Sequence, residues 1–233
     1  MAITTVLLDA GGVILDESAH EIKHAEIVTG LIAGYYPDYS VNDYWHDAEE
    51  AVQSFCPEVY QYILWKHLQP DREHFEEARR RHLEQWRGQR PPLVMMAGLA
   101  AEITEIVRTL DIGLAGQYGA DILGLLEREG VLDCFKYRVT QDDFAITKPD
   151  PRYYEQICKQ IGVEPSSCIM VGDRIDKDII PARQLGMKTI RIRGGLHKDQ
   201  IPRIPFEIPD VTLDSVAGLA DAVDELADRE QGC

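Results

Sequence analysis

The chain opens on an apolar, β-branched stretch at residues 4–8 that stops at Asp9-Ala10-Gly11-Gly12. A continuous apolar run closed by a glycine turn is how a parallel strand reads when helices cover both of its faces, because neither face can be polar. Five more runs of this kind follow, at residues 111–116, 136–140, 168–172, 187–193 and 209–213. Between them, apolar positions recur at helical spacing over residues 97–110, 120–129, 151–161 and 175–185. Gly130, Gly162 and Gly186 follow three of these segments, and Pro151 stands in the first turn of the third, where its missing N–H costs nothing. The alternation predicts an α/β chain with a doubly wound, parallel, Rossmann-like sheet.

Residues 16–89 break that alternation and contain no strand pattern. Ser18-Ala19-His20-Glu21 has the form of a capping box opening a helix toward Ala33, and residues 41–53, 57–68 and 71–86 read as three further helices. The cluster Tyr35-Tyr36-Pro37-Asp38 and the pair Pro91-Pro92 punctuate the stretch. The predicted organisation is therefore a core domain from residues 1–15 and 93–233, with an all-helical domain, residues 16–92, inserted after the first strand.

Composition narrows the setting. Hydrophobic residues at 45% and charged residues at 27% suit a globular chain with a core of useful size. No apolar run approaches the ~18 residues of a membrane span. The N-terminal stretch lacks a basic region and carries Asp9 in its middle, so it reads as a strand rather than a signal peptide, and the chain is expected in the cytoplasm. A net charge of −16 repels phosphate backbones, which argues against nucleic acid as a partner, and suits a divalent cation. Cys56, Cys134, Cys158, Cys168 and Cys233 show no CxxC spacing and read as free thiols of a reducing compartment.

In an open parallel sheet, ligands bind beyond the carboxyl ends of the strands. Four predicted strand ends bring chemistry there: Asp9, Gly116-Gln117, Lys148 in the loop after the third strand, and Gly172-Asp173. Two acids can hold Mg²⁺, which prefers oxygen ligands, and a lysine can neutralise a phosphoryl group. Singly these residues are unremarkable. An Asp at a strand end is commonly a turn residue, and Asp173, Asp176 and Asp178 could simply favour a helix N-terminus. Their combination in this order carries the signal.

These segments resemble the haloacid dehalogenase (HAD) superfamily of hydrolases and phosphatases. VLLDAGGVIL is similar to its strand ending in a nucleophilic Asp, TKPDPRYY to its lysine motif, and CIMVGDRIDKDIIPARQLGMKTIRI to its acidic motif. The resemblance covers the core, and the helical insert falls where such proteins carry a cap. It implies that Asp9 attacks phosphorus and that Mg²⁺ binds Asp9, the Gly11 carbonyl and Asp173, with Asp178 close by as a supporting acid. It also implies that Lys148 holds Asp9 and the phosphate and balances charge.

The sequence departs from the family's pattern twice. Its phosphatases usually carry a second Asp two residues after the nucleophile, to protonate the leaving group; here that residue is Gly11. They usually place Ser or Thr at the end of the second strand to donate to phosphate; here Gly116 and Gln117 stand there, with a backbone N–H and an amide as possible substitutes. The leading expectation is a Mg²⁺-dependent phosphatase of a small phosphorylated metabolite. A HAD-fold protein that binds such a ligand without catalysis is one alternative. A haloacid dehalogenase, which also lacks the second Asp, is another, although Asp173 and Asp178 fit a bound cation better. An acid lost at Gly11 could be compensated by a good leaving group, or by Asp16, Glu17, His20 or His24.

Three features of the insert read as structural. His20 and His24, at metal-pair spacing but without an evident third ligand, are expected to be solvated helix histidines. Tyr35, Tyr36, Tyr39, Tyr44 and Trp45 are expected to pack the bundle. Arg79-Arg80-Arg81 with His82 is expected to be a solvated face neutralised by Glu76, Glu77 and Glu84.

Overall fold

The structure is a computed structural model, and it describes residues 2–116, 118–140, 143 and 145–231. The chain divides into two compact units, one of residues 1–16, 93–198 and 202–233, the other of residues 17–92 and 199–201.

The first unit is a parallel sheet of six strands: β1 (Thr5–Leu8), β2 (Asp111–Leu114), β3 (Phe135–Tyr137), β4 (Cys168–Gly172), β5 (Lys188–Ile192) and β6 (Val211–Leu213). Their order across the sheet is β3-β2-β1-β4-β5-β6, and every neighbouring pair is parallel. All six expected strands form: β4 has the expected bounds, β3 starts one residue earlier and stops sooner, and the other four are trimmed. β1 is buried throughout and lies between β2 and β4, with Leu8 opposite both Leu114 and Val171. Helices cover both faces. Val6 and Leu8 pack with residues of α5 (Leu99–Ile106), α6 (Asp121–Arg128) and α9 (Leu219–Gln231). Leu7 and Met170 pack on the other side with α7 (Arg152–Ile161) and α8 (Ile180–Gln184). Gly162, at φ 74°, stops α7 in the left-handed conformation that only glycine adopts cheaply. The expected helix over 175–185 is a wide π turn, Ile175–Ile179, running into the short α8.

The second unit contains four helices, α1 (Ser18–Ala33), α2 (Val41–Gln53), α3 (Val59–Leu68) and α4 (Arg72–Gln89), around buried Val28, Ile32, Tyr44, Ile63 and Leu64. The sequence misplaced one cap. Ser18 is the first helical residue of α1 with Glu17 in the cap position, so the Ser18–Glu21 box is not made. The box forms at α2 instead, where Ser40 and Asp43 satisfy each other's backbone donors.

The histidine expectation is also corrected. His20, His24 and His82 are buried, not solvated. The His24 ring stacks between Tyr60 and Trp86 at 3.8 Å from each, and its Nδ1 lies 2.9 Å from Nε2 of His82. His20 Nε2 contacts the Pro91 carbonyl. Burial pushes His24 down to about 3 and His82 to about 4, which keeps both neutral. The arginines behave as expected, with Arg79 paired to Glu76, Arg80 to Glu84 and Arg81 to Glu77. Of the aromatics, Tyr44 is fully buried, whereas Tyr36 and Trp45 are exposed.

Among the described residues no helix is long and apolar enough to cross a membrane. Among the described residues Cys56, Cys134, Cys158 and Cys168 form no disulfide, with 4.0 Å between the sulfurs of the buried Cys158 and Cys168; Cys233 lies outside the described residues.

Candidate active site

The strand order reverses direction at β1, and the chemistry gathers at that switch point. Asp9 follows β1, its N–H held by the Val171 carbonyl of β4 at 2.8 Å, and Asp173 follows β4. The π turn carries Asp178 back over the end of β4. A Cβ built on Gly172 would fall 2.4 Å from the Asp178 Cβ, so only glycine leaves room for that acid.

Lys148, on the loop before α7, lies between two carboxylates. Its Nζ donates to Asp9 Oδ1 and to Asp178 Oδ1, both at 2.6 Å. The expected residues Asp9, Lys148, Asp173 and Asp178 are therefore brought together, and all four are buried. One oxygen from each acid lies within 4.8 Å of the others, a donor set suited to a hard divalent cation.

The charge balance explains the titration. Burial raises Asp9 from its ordinary value to about 6; Lys148 opposes this, and the nearby Asp178 adds to it. For Lys148, burial acts against the ammonium, but Asp178 and Asp9 outweigh it and hold the group well above its usual range. Lys148 shifts upward because one ammonium faces two carboxylates, and Asp9 shifts upward because burial outweighs what the shared ammonium gives back.

The sequence did not reveal Tyr154. This buried side chain of α7 places its hydroxyl 3.0 Å from Asp178 Oδ1 and from the Lys177 carbonyl, and its ring 5.4 Å from the Lys148 ammonium. With the Arg174 N–H on Oδ2, Asp178 accepts from three donors, the Lys148 ammonium among them. Neighbouring Tyr153 donates to the Gly116 carbonyl at 3.2 Å. The only signal for either tyrosine was a phenol on the buried face of an amphipathic helix.

Gly116 follows β2, and a Cβ there would fall 2.4 Å from that of Ala10 and 2.6 Å from the Ala10 nitrogen. A Ser or Thr hydroxyl is thus sterically excluded beside Ala10. Gly11 is half-buried next to Gly12, whose φ of 66° turns the chain beside Asp173. Gln117 lies outside the described residues.

The profile of the haloacid dehalogenase-like hydrolases matches residues 3–186, a span that includes Asp9, Lys148, Asp173 and Asp178. The chain belongs to this family. Among its relatives, the glyceraldehyde 3-phosphate phosphatase of Methanopyrus kandleri is 38% identical over 102 residues, 44% of each chain. That of Methanocaldococcus jannaschii is 37% identical over 101 residues, 43% of each. This HAD-like chain thus matches less than half the length of either relative. Its fold is similar to that of the HAD-family protein YfnB of Bacillus subtilis, solved bound to magnesium, with a TM-score of 0.63 at 17% identity over 96% of this chain and 100% of that one.

Proposed function

We propose that this HAD-like hydrolase is a cytoplasmic phosphatase of a small phosphorylated metabolite, working through an aspartyl-phosphate on Asp9. The observation that carries the reading is the Lys148 ammonium placed between Asp9 and Asp178 within a buried set of three acids. Asp9 Oδ forms a bond to phosphorus as the bond to the leaving oxygen breaks; water then attacks the same phosphorus, releasing phosphate and regenerating the carboxylate. Lys148 fixes the Asp9 carboxylate and offsets charge on the transferring group. Asp9, Asp173 and the Gly11 carbonyl would hold Mg²⁺, with Asp178 in support, and the ion would supply Lewis-acid charge stabilisation. The phosphate donors would be the Gly116 N–H, the Gln117 amide and Lys148. The helical unit is read as a cap that selects the substrate.

Gly11 offers no proton, His24 is held neutral by burial against its neighbours, and His20 is engaged with the Pro91 carbonyl and the Trp86 ring. Substrates that leave without help should therefore turn over fastest, because general acid catalysis is worth roughly 10² to 10⁴ in rate. p-Nitrophenyl phosphate, acetyl phosphate and three-carbon sugar phosphates, the last suggested by the named relatives, form the test panel, with and without Mg²⁺. Cation-dependent phosphate release, lost by at least a thousandfold in Asp9→Asn, is the expected result. The crowding of Gly116 by Ala10 favours a second reading, a phosphoryl-ligand binder without turnover. Silence across the panel with ligand binding retained would establish that one, and halide release without metal would point to a dehalogenase.

A further inference from the structure

We infer that Arg191, a residue of β5 at the far end of the acidic-motif segment and 18 residues from Asp173, is the positioning residue for the Asp173 carboxylate, and so sets the affinity of the site for its cation. The inference rests on the cation reading of the preceding section. Arg191 is buried on the strand beside β4. Its Nε donates to the Asp173 carbonyl at 3.2 Å, and its Nη2 donates to the carbonyls of His197 at 2.8 Å and Lys198 at 3.3 Å. One planar fork thereby ties the loop after β4 to the loop after β5.

The tied loop presses back on the site. A Cβ on Gly194 would fall 2.6 Å from the Gly12 oxygen, and a Cβ on Gly12 would fall 2.8 Å from both Cβ and Cγ of Asp173. Loop, glycine turn and carboxylate are therefore stacked in contact, and Arg191 closes the stack from the main-chain side of Asp173. A lysine keeps the charge but not the rigid fork, since its three donors sit on one atom. The guanidinium's charge alone would act in the opposite sense, repelling a bound cation, so charge and geometry make opposite forecasts.

The test is Mg²⁺ titration of the full chain by calorimetry at pH 7.5, comparing wild type with Arg191→Lys, Arg191→Gln and Gly194→Ala, each checked for fold by circular dichroism. If Arg191 positions the acid, Arg191→Lys weakens Mg²⁺ binding despite its unchanged charge, by roughly 10- to 100-fold as for other groups that orient metal ligands. Arg191→Gln weakens it too, and Gly194→Ala, which wedges the same contact with Arg191 intact, moves it in the same direction. Turnover at saturating Mg²⁺ returns to within about twofold of wild type in Arg191→Lys, a split that general destabilisation would not give. Unchanged affinity in Arg191→Lys, or tighter binding in Arg191→Gln, overturns the inference while leaving the cation site standing. A wild-type protein that binds no Mg²⁺ overturns the cation reading itself.

Discussion

Around Lys148 a single phenol does two jobs at once. The Tyr154 ring lies under the ammonium, and its hydroxyl reaches Asp178 and the Lys177 carbonyl. Tyr154→Phe keeps the ring and removes the hydroxyl, leaving buried acceptors short of a donor; the expected loss is about 1–2 kcal/mol in urea melts. Tyr154→Ala also opens a cavity and should cost about 3–5 kcal/mol. A Phe variant as stable as wild type would show that the hydroxyl contributes nothing net. The same position shows what a sequence hides. Asp9 and Asp173 could be read because each lies just beyond the end of an apolar run, and Lys148 because it falls in the loop that follows the third such run, and the pattern fixes where these ends point. Tyr154 and Arg191 could not, because their partners Asp178 and Asp173 are 24 and 18 residues away and only the packed fold joins them.

Elements were legible where one physical rule dominates. A strand buried on both faces has to be apolar, which made β1, β2, β4 and β5 legible, whereas the half-exposed edge strands β3 and β6 showed by their place in the alternation. A helix N-terminus has several local solutions, so Ser18 and Ser40 both carried the signal and only Ser40 uses it. The buried histidines of α1 and α4 were misread because helix spacing sees one element at a time, whereas His24 and His82 meet across 58 residues. Their burial has a consequence for acid stability. Both stay neutral in the folded chain, at about 3 and about 4, and both take up protons near 6.5 when unfolded. The unfolded state then binds more protons, so the stability they contribute is complete above pH 6.5 and is lost as pH falls toward 4. Between pH 6.5 and 5 the loss is roughly 2 kcal/mol per histidine. Urea melts at the two pH values should show it, and His24→Phe should remove about half. A drop of the same size in that variant would rule the histidine out as its source.

On the scale of the whole molecule, a chain of net charge −16 buries one of its acids, Asp9, where desolvation holds the carboxyl up. Its raised value of about 6 works opposite to the histidines. Below pH 4 both states hold the proton; between 4 and 6 the folded state binds more of it, so this contribution to stability declines as pH rises and is gone above 6. A divalent cation competes for the same carboxylate and should therefore stabilise the protein more at pH 7.5 than at pH 5. At a hundredfold excess over its dissociation constant the gain is about 2.7 kcal/mol. Thermal melts across a Mg²⁺ series at both pH values, beside Asp9→Asn, test this. Equal shifts at the two pH values would mean that the ion does not bind through Asp9.

The placement of β1 has its own outcome for how the chain reaches this form. One of the two central strands precedes the other five in the chain, yet Leu8 has no neighbour until Leu114 is made and lacks the other until Val171 arrives. During synthesis a bare hydrophobic tetrapeptide therefore waits through a hundred residues of helix-forming chain. Closure over such separations is slow, and the waiting segment is exposed to self-association. Refolding yield should accordingly fall with protein concentration more steeply than for a sheet assembled from sequential neighbours.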